Sequence, residues 1–520
     1  MPGHSCLAED RGLWGSLPTR PAYCIYDAMA IKFGTSGWRA VISDEFTFAN
    51  VRKLVHAIAG HVKENTEDGF SSAEYRTHAG KAIDGQGPTV VIGYDTRFLS
   101  EEFAREAATV FAADGIRVLI AKTDIPTPVV AWAILDNKAV GGIMVTASHN
   151  PAQYNGIKWS PYWGGPATPS ITDDIERRLA IIGFHAVRIT SYEKAVRDGW
   201  IVECDFRASY FKQLRSLLDL PAIRKAKLKV GVDAMNGAAR SFLRPFLESL
   251  GIEAVGLREE RDVLFGGASP EPSQEKLAGL AELMKKKGLS LGLACDGDAD
   301  RYGILDTGGT WIAANDVLGL ALHHLIQNRG WRGGVARSLM TSHFVDAIAK
   351  GNGLRVRETP VGFKYVGDLL RTGEFIIGGE ESAGLSIRGH VPEKDGLLAC
   401  LLMAELMAFD RRPLSKIRQD LFKKYGHFHN ARLNFALEGP KLVKELNDRL
   451  RLHPPMELDG TAVWRIDETD GYKFILKDGR WLGLRFSGTE PVVRLYAEAF
   501  DPKGLNSMVE TGKKIIHGRL

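Results

Sequence analysis

Three stretches of the chain repeat one order of elements. In "TVVIGYDTRFLSEEFAREAATVFAADGIRVLI" (89–120) an apolar strand leads through a polar loop into an amphipathic helix, a glycine and a second strand. "LKVGVDAMNGAARSFLRPFLESLGIEAVGL" (228–257) has the same order, and "GGVARSLMTSHFVDAIAKGNGLRVRET" (333–359) has it more weakly. The helices are predicted to end at Gly115, Gly251 and around Gly353, ahead of Ile-Arg-Val, Ile-Glu-Ala-Val and Leu-Arg-Val. A helix stopping at glycine before such a strand is the αβ boundary of a layered sheet. Strands alternating with helices of this length specify α/β units, so three copies predict three related α/β domains. At ~150 residues per domain the 520 residues suggest three or four domains. After about residue 425 the rhythm breaks, with strands near 430–436, 462–466, 473–476, 481–486 and 492–498. This predicts a smaller α+β domain at the C-terminal end.

A second recurrence concerns strand ends. "GIMVTASHNP" (142–151), "LGLACDGDADR" (291–301), "EFIIGGEESAGL" (374–385) and "WLGLRFSGTEP" (481–491) each run from an apolar strand into small and charged residues. Ligands of open α/β sheets collect beyond the carboxyl ends of strands. One such loop in each of four segments predicts a central cleft to which every domain contributes.

The loops differ in chemistry. Asp296, Asp298 and Asp300 alternate in a small-residue turn. Three hard oxygen donors suit Mg2+ or Ca2+ better than Zn2+. An EF-hand would need glycine sixth and glutamate twelfth in its loop, and Arg301 and Thr307 stand there. Without a cation, three aspartates abutting an apolar strand repel one another. "RFSGTEP", with Arg485 before the Ser-Gly-Thr turn and Arg494 after it, offers N–H groups, hydroxyls and guanidinium forks for a phosphate. Glu380 and Ser382 share one side of an extended segment, which suits sugar hydroxyls; Lys394 follows as a phosphate or hydroxyl contact. Ser148 lacks the G-x-S-x-G elbow of a hydrolase. On an extended chain its neighbour His149 would point to the opposite side, poorly placed as a direct base. With a carboxylate cluster elsewhere in the chain, Ser148 reads as the carrier of a phosphoryl group whose charge a bound cation offsets.

"TASHNP", "DGDADR", "GEES" and "RFSGTEP", in this order and approximate spacing, together with "FGTSGWR" (33–39), resemble the α-D-phosphohexomutases, the phosphoglucomutase and phosphomannomutase superfamily. The resemblance runs from about Phe33 to the end. It implies three similar α/β sandwich domains with mixed sheets plus a smaller C-terminal α+β domain around a central cleft. The expected divisions are a tail over 1–32, a phosphoserine domain over 33–204, a metal-binding domain over 205–308, a sugar-binding domain over 309–425 and a phosphate-binding domain over 426–520. It further implies phosphoserine at Ser148 and Mg2+ held by that phosphate with Asp296, Asp298 and Asp300. Arg301 would lie near the transferring phosphate or the sugar, and Glu380, Ser382 and Lys394 would bind the sugar. Arg485, Ser487, Gly488, Thr489 and Arg494 would grip the non-reacting phosphate. Arg39 and Lys158 would border the phosphoserine, and Gly362 lies on a further family loop.

The implied reaction moves phosphate reversibly between the C1 and C6 oxygens of a hexose through a bisphosphate, glucose 1,6-bisphosphate for a glucose enzyme. Lys158 is the expected base, its pKa lowered by a nearby cation and arginines, with His149 the alternative. "GEES" is similar to the phosphoglucomutase form of the loop. Glucose and mannose differ only at C2, so mannose activity is compatible. Rival readings are a bisphosphate synthase, a metal-dependent phosphatase and a non-catalytic sugar-phosphate binder.

Lys and Arg (67) nearly balance Asp and Glu (63), which argues against a nucleic-acid footprint. No run approaches the ~20 apolar residues of a membrane helix. The expected partner is therefore a small sugar phosphate, with no obligate protein partner implied. Five scattered cysteines without a CxxC pair fit reduced thiols in a cytoplasmic protein. The opening "MPGHSCLAEDRGLWGSLPTRPAYCIYDAM" lacks the apolar core of a signal peptide. Met29 is the expected native start, and recovery of a peptide from residues 1–28 in the purified native protein would exclude it.

Overall fold

The computed structural model describes residues 31–33, 37–67, 87–182, 187–437, 439–486 and 492–518. The expected start at Met29, most of the 1–32 tail, and Ser487, Gly488 and Thr489 lie outside the described residues. The described chain forms four sheets. The first contains β1 (Trp38–Val41), β2 (Thr89–Tyr94), β3 (Arg117–Ala121), β4 (Gly141–Val145), β5 (Tyr154–Pro161) and β6 (Ile201–Cys204). The second contains β7 (Lys229–Asp233), β8 (Glu253–Leu257), β9 (Leu291–Cys295), β10 (Tyr302–Asp306) and β11 (Thr310–Ile312). The third contains β12 (Gly334–Ser338), β13 (Val356–Thr359), β14 (Phe375–Glu380) and β15 (Gly384–Ile387).

The strand orders are β1-β5-β4-β2-β3-β6, β11-β10-β9-β7-β8 and β13-β12-β14-β15. Within them one unit recurs. A central strand (β2, β7, β12) is flanked by two parallel neighbours, and the third strand of the unit then pairs antiparallel with a fourth. The loop between third and fourth strands holds Ser148 in the first copy, the three aspartates in the second and Glu381–Ala383 in the third. The repeat read from sequence is thus the first half of a larger unit whose second half ends in the chemistry. Strands β2, β4, β9, β12 and β14 are buried along their whole length, as mixed sheets covered on both faces require.

The expected glycine stops are all present. Helices Ser100–Ala113, Leu243–Ser249 and Phe344–Gly351 are followed by Gly115, Gly251 and Gly353 at φ 75°, 77° and 70°. The next N–H in each case reaches back five residues: Ile116 to Phe111 at 2.9 Å, Ile252 to Leu247 at 3.2 Å and Leu354 to Ala349 at 2.9 Å. These are Schellman closures, and a glycine takes the left-handed turn without a Cβ clash. In the second copy the expected single helix is divided into a 3-10 turn, Ala238–Ser241, and the helix Leu243–Ser249. Pro245 has no N–H to donate, so it fits only the first turn of a new helix.

The fourth sheet is antiparallel and runs β16-β21-β20-β19-β18-β17, from β16 (His429–Ala436) through β21 (Val492–Ala499), β20 (Trp481–Phe486), β19 (Tyr472–Leu476) and β18 (Thr461–Asp467) to β17 (Glu457–Leu458). Helices Pro440–Leu452 and Pro502–Ile516 complete this unit. Its apolar core is separate, whereas one continuous core extends from Trp38 to Phe422 through the first three units. A small cluster of Leu339, Met340, Trp481 and Tyr496 joins the last unit to the third. Beside it, the fully buried Lys473 donates to the Leu339 carbonyl at 2.5 Å and approaches Glu358 at 3.3 Å. Burial, with Arg337 nearby, brings its pKa down to about 8. Among the described residues no helix is long and apolar enough to cross a membrane.

Candidate active site

The serine loop leaves β4 and returns on β5. Ser148 is buried at φ 53°, and its Oγ donates to Asp296 Oδ2 at 2.8 Å. His149 Nδ1 lies 3.3 Å from the same Oγ, which corrects the expectation that the two side chains diverge. That expectation assumed extended backbone, and the left-handed turn at Ser148 brings them to one side. Arg39 on β1 donates to Asn150 Oδ1 at 2.8 Å and so borders this loop.

The aspartate loop connects β9 to β10 and is held from two other units. Thr127, which opens the helix Thr127–Asp136, donates its N–H to the Asp298 carbonyl at 2.9 Å and its hydroxyl to Asp298 Oδ2 at 2.6 Å. The Gly396 N–H bonds the Ala299 carbonyl at 3.0 Å, at the start of helix Gly396–Asp410. Lys158 on β5 reaches Asp298 Oδ2 at 2.5 Å and Asp300 Oδ2 at 2.8 Å, while Lys394 lies 3.3 Å from Asp300 Oδ2.

These contacts answer a severe electrostatic problem. One oxygen of each aspartate lies within 4.8 Å of the others, and all three residues are buried. At an effective dielectric near 20, two charges ~5 Å apart repel by about 3 kcal/mol. Three such pairs approach about 10 kcal/mol, the size of a domain's net stability. Burial, followed by the charges of Asp298 and Asp300, pushes the Asp296 pKa well up. Burial also acts against ionised Asp300, but Lys158, Lys394 and Arg301 outweigh it and hold that carboxyl below its usual range. Lys158 corrects an expectation here. Burial lowers its pKa, yet Asp298 and Asp300 prevail and raise it. The two carboxylates on its amine come from 140 and 142 residues along the chain.

The donor set fits a hard divalent cation. Asp298 Oδ1 and Asp300 Oδ1 are buried with no hydrogen-bond partner, and each carboxylate has its other oxygen engaged. Oxygen-only donors of this kind suit Mg2+. The buried Arg301 Nε also lacks a hydrogen-bond partner, and Asp300 Oδ1 lies 3.9 Å from it.

Arg301 leads from the aspartates into a cavity of about 390 Å3 lined also by Glu271, Asn315, Glu381, Ser382, Asn430, Arg432 and Tyr496. Of the three expected sugar contacts, Glu380, Ser382 and Lys394, Ser382 lines it. Glu380 is buried and accepts the Gly362 N–H at 2.8 Å, at the head of helix Phe363–Arg371. Burial and the neighbouring Glu381 raise its pKa to about 7. Lys394 pairs with Glu393 at 2.7 Å. Arg485 and Arg494 stand opposite each other on β20 and β21, and Arg485 donates to Asp470 at 3.0 Å. The chain register places Arg432 of β16 on the same face, across from Tyr496. Arg432, Thr127, Asp95 and Arg97 were missed in the sequence. None lies in a loop of recognisable chemistry, although "YDTR" at the end of β2 was a faint signal.

Comparison with known proteins accords with this arrangement. The chain matches the phosphoglucomutase/phosphomannomutase alpha/beta/alpha domains I, II and III over residues 30–185, 208–309 and 313–425. The C-terminal domain of the same family matches residues 433–511. A Thermococcus kodakarensis phosphoglucomutase/phosphomannomutase is 29% identical over 492 residues, 95% of this chain and 100% of its own. Human phosphoglucomutase-1 is 31% identical over 474 residues, 80% of this chain and 84% of its own. A crystal structure from Thermus thermophilus, provisionally described as a phosphomannomutase, superposes with TM-score 0.77 at 31% identity, covering 94% of this chain and 99% of that one.

The serine and aspartate loops meet backbone to backbone at Gly297, where an added Cβ would lie 2.5 Å from the Ser148 carbonyl oxygen. Neither backbone can turn aside as a side chain could. Gly297→Ala is expected to destabilise the protein by about 1–3 kcal/mol, read as a lower urea midpoint; an unchanged midpoint would refute the tight contact.

Proposed function

Because the chain belongs to the phosphoglucomutase/phosphomannomutase family and is a phosphotransferase isomerase, we propose that it interconverts α-D-glucose 1-phosphate and glucose 6-phosphate. The observation carrying this reading is the approach of Ser148 Oγ to Asp296 within a buried triad of aspartates that retains two oxygens without hydrogen bonds. In the proposed cycle Ser148 carries a phosphoryl group. The free hydroxyl of the sugar phosphate attacks phosphorus; the new O–P bond forms as the bond to Ser148 Oγ breaks. The product is glucose 1,6-bisphosphate. After this intermediate turns within the cleft, its other phosphoryl group returns to Ser148.

Asp296, Asp298 and Asp300, with the phosphate on Ser148, would hold Mg2+, which when bound offsets the charge of the phosphoryl group. Positioning and charge neutralisation carry most of such a reaction. Arg39 and Arg301 flank the reacting group. Arg485 and Arg494, with Ser487, Gly488 and Thr489, grip the other phosphate, and Arg432 adds a third guanidinium on that face. Ser382 and Glu380 orient the sugar with Lys394, and Gly362 fixes the Glu380 carboxylate. Lys158, whose amine Asp298 and Asp300 keep charged, would accept the proton of the attacking hydroxyl once a bound cation offsets those two carboxylates, with His149, 3.3 Å from Ser148 Oγ, the alternative. The phosphoglucomutase name of the human relative and the "GEES" loop favour glucose. The phosphomannomutase names among the relatives favour some activity on mannose phosphates. The three free thiols among the described residues, Cys204, Cys295 and Cys400, fit a reducing compartment, and we take the enzyme to act in the cytoplasm.

Purified protein with Mg2+, glucose 1-phosphate and a trace of glucose 1,6-bisphosphate is expected to form glucose 6-phosphate. Release of free phosphate would instead indicate a phosphatase, and no turnover a binder. Ser148→Ala should lose at least about 1,000-fold in turnover, and undiminished activity would overturn the assignment. In single-turnover transfer from phosphoenzyme to sugar, Lys158→Met should be slower by about 100-fold or more. Transfer at wild-type speed would pass the base role to His149.

A further inference from the structure

We propose that Arg97 is the positioning residue that sets the backbone of Ser148. The inference rests on Ser148 being the phosphoryl carrier. Arg97 follows β2 and is fully buried, and its side chain donates to Asp95 and to backbone carbonyls. A guanidinium has five N–H donors in one plane, and here each has an acceptor. Nε donates to Asp95 Oδ2 at 3.1 Å. Nη2 donates to the carbonyls of Ser148 at 2.6 Å and Asn150 at 2.7 Å. Nη1 donates to those of Pro151 at 2.8 Å and Tyr154 at 3.0 Å. One side chain therefore gathers four carbonyls of the serine loop around a single plane.

The amide side of Ser148 is held from the same root. Its N–H donates to Thr146 Oγ1 at 2.8 Å, and the Thr146 hydroxyl donates to Asp95 Oδ2 at 2.6 Å. Asp95 is itself fixed by the Ser100 hydroxyl at 2.8 Å and the Arg97 N–H at 3.0 Å. Both peptide groups of Ser148 are thus anchored to the end of β2. A serine at φ 53° is in a sparsely populated conformation that persists only where its surroundings over-determine it. This pair of anchors does so, and the result is an Oγ aimed at Asp296. The Arg97 guanidinium also lies 4.9 Å from the ring centroid of Phe265, so the clamp leans on the unit that carries the aspartates. A lysine has three donors around a point and no plane, so it cannot hold four carbonyls and a carboxylate together.

The test compares Arg97→Lys, Thr146→Val and Thr146→Ser with the wild type, in Mg2+. Two readouts are needed: hydrogen exchange of residues 146–154 by mass spectrometry, and the division between kcat and KM. A misplacement of about 1 Å costs on the order of 100-fold in rate. Arg97→Lys is therefore expected to lower kcat by about 100-fold with KM little changed. It should also speed exchange in 146–154 while residues 228–257 exchange as before. Thr146→Val should show the same defect in weaker form, and Thr146→Ser should restore both readouts. Should Arg97→Lys fail to fold, the Thr146 pair decides: Val indistinguishable from Ser in both readouts overturns the proposal. So does a folded Arg97→Lys protein with wild-type exchange in 146–154 or wild-type kcat. If the wild type itself does not turn over glucose 1-phosphate, the substrate assignment fails, and the exchange readout alone still decides the clamp.

Discussion

Three carboxylates crowded into a dry turn are the constraint on which the rest of this molecule depends. Asp296, Asp298 and Asp300 come from one short loop of the second unit, and their own unit sets Arg301 against the repulsion. The remaining relief comes from elsewhere: the first unit supplies Lys158 and Thr127, and the third supplies Lys394. The aspartate turn is consequently also the place where three units are fastened to one another. The continuous core from Trp38 to Phe422 gives those charged contacts a rigid frame, and without it the long lysines would have to be ordered at an entropic cost.

The repeated topology explains why the parts arrive together. In each of the first three units the loop between the third and fourth strands emerges at the same corner, beside the end of the central strand. Around a common centre, three equivalent corners present three different chemistries: a hydroxyl, a set of carboxylates and a turn that brings Ser382 to the cavity. Only the loops had to diverge, since the layers beneath them do the same work in every copy.

Much of this was readable in the chain because it is local. Glycine stops, apolar strands and the alternation of three aspartates are set by neighbours within a few residues. The Schellman closures at Gly115, Gly251 and Gly353 are of that kind, and so is the run of antiparallel strands at the end. What was not readable depended on distant partners or on one unusual dihedral. The partners of Arg97 in the serine loop stand 51 to 57 residues away in the chain. Lys158 meets its aspartates across 140 and 142 residues, so its pKa direction could not be inferred from composition nearby. His149 was read on the wrong side of Ser148 because a left-handed φ at a serine has no sequence signature. Arg432 sits in an ordinary strand, and only the register of β16 against β21 brings it to the arginine face.

The last unit is attached differently from the others. Its core is its own, and the join to the third unit is made by four apolar side chains, a buried lysine and hydrogen bonds such as those from the His343 N–H to Glu498 and the Val361 N–H to Asp470. The arginines at one end of the cleft belong to this unit, and the serine and aspartate loops at the other end do not. A ligand with a phosphate at each end would therefore act as a tie beam between two bodies, with its own length setting their spacing. Under the proposed function, occupancy of the cleft and cohesion of the protein would then be linked, each bound bisphosphate adding a strap to the join already present.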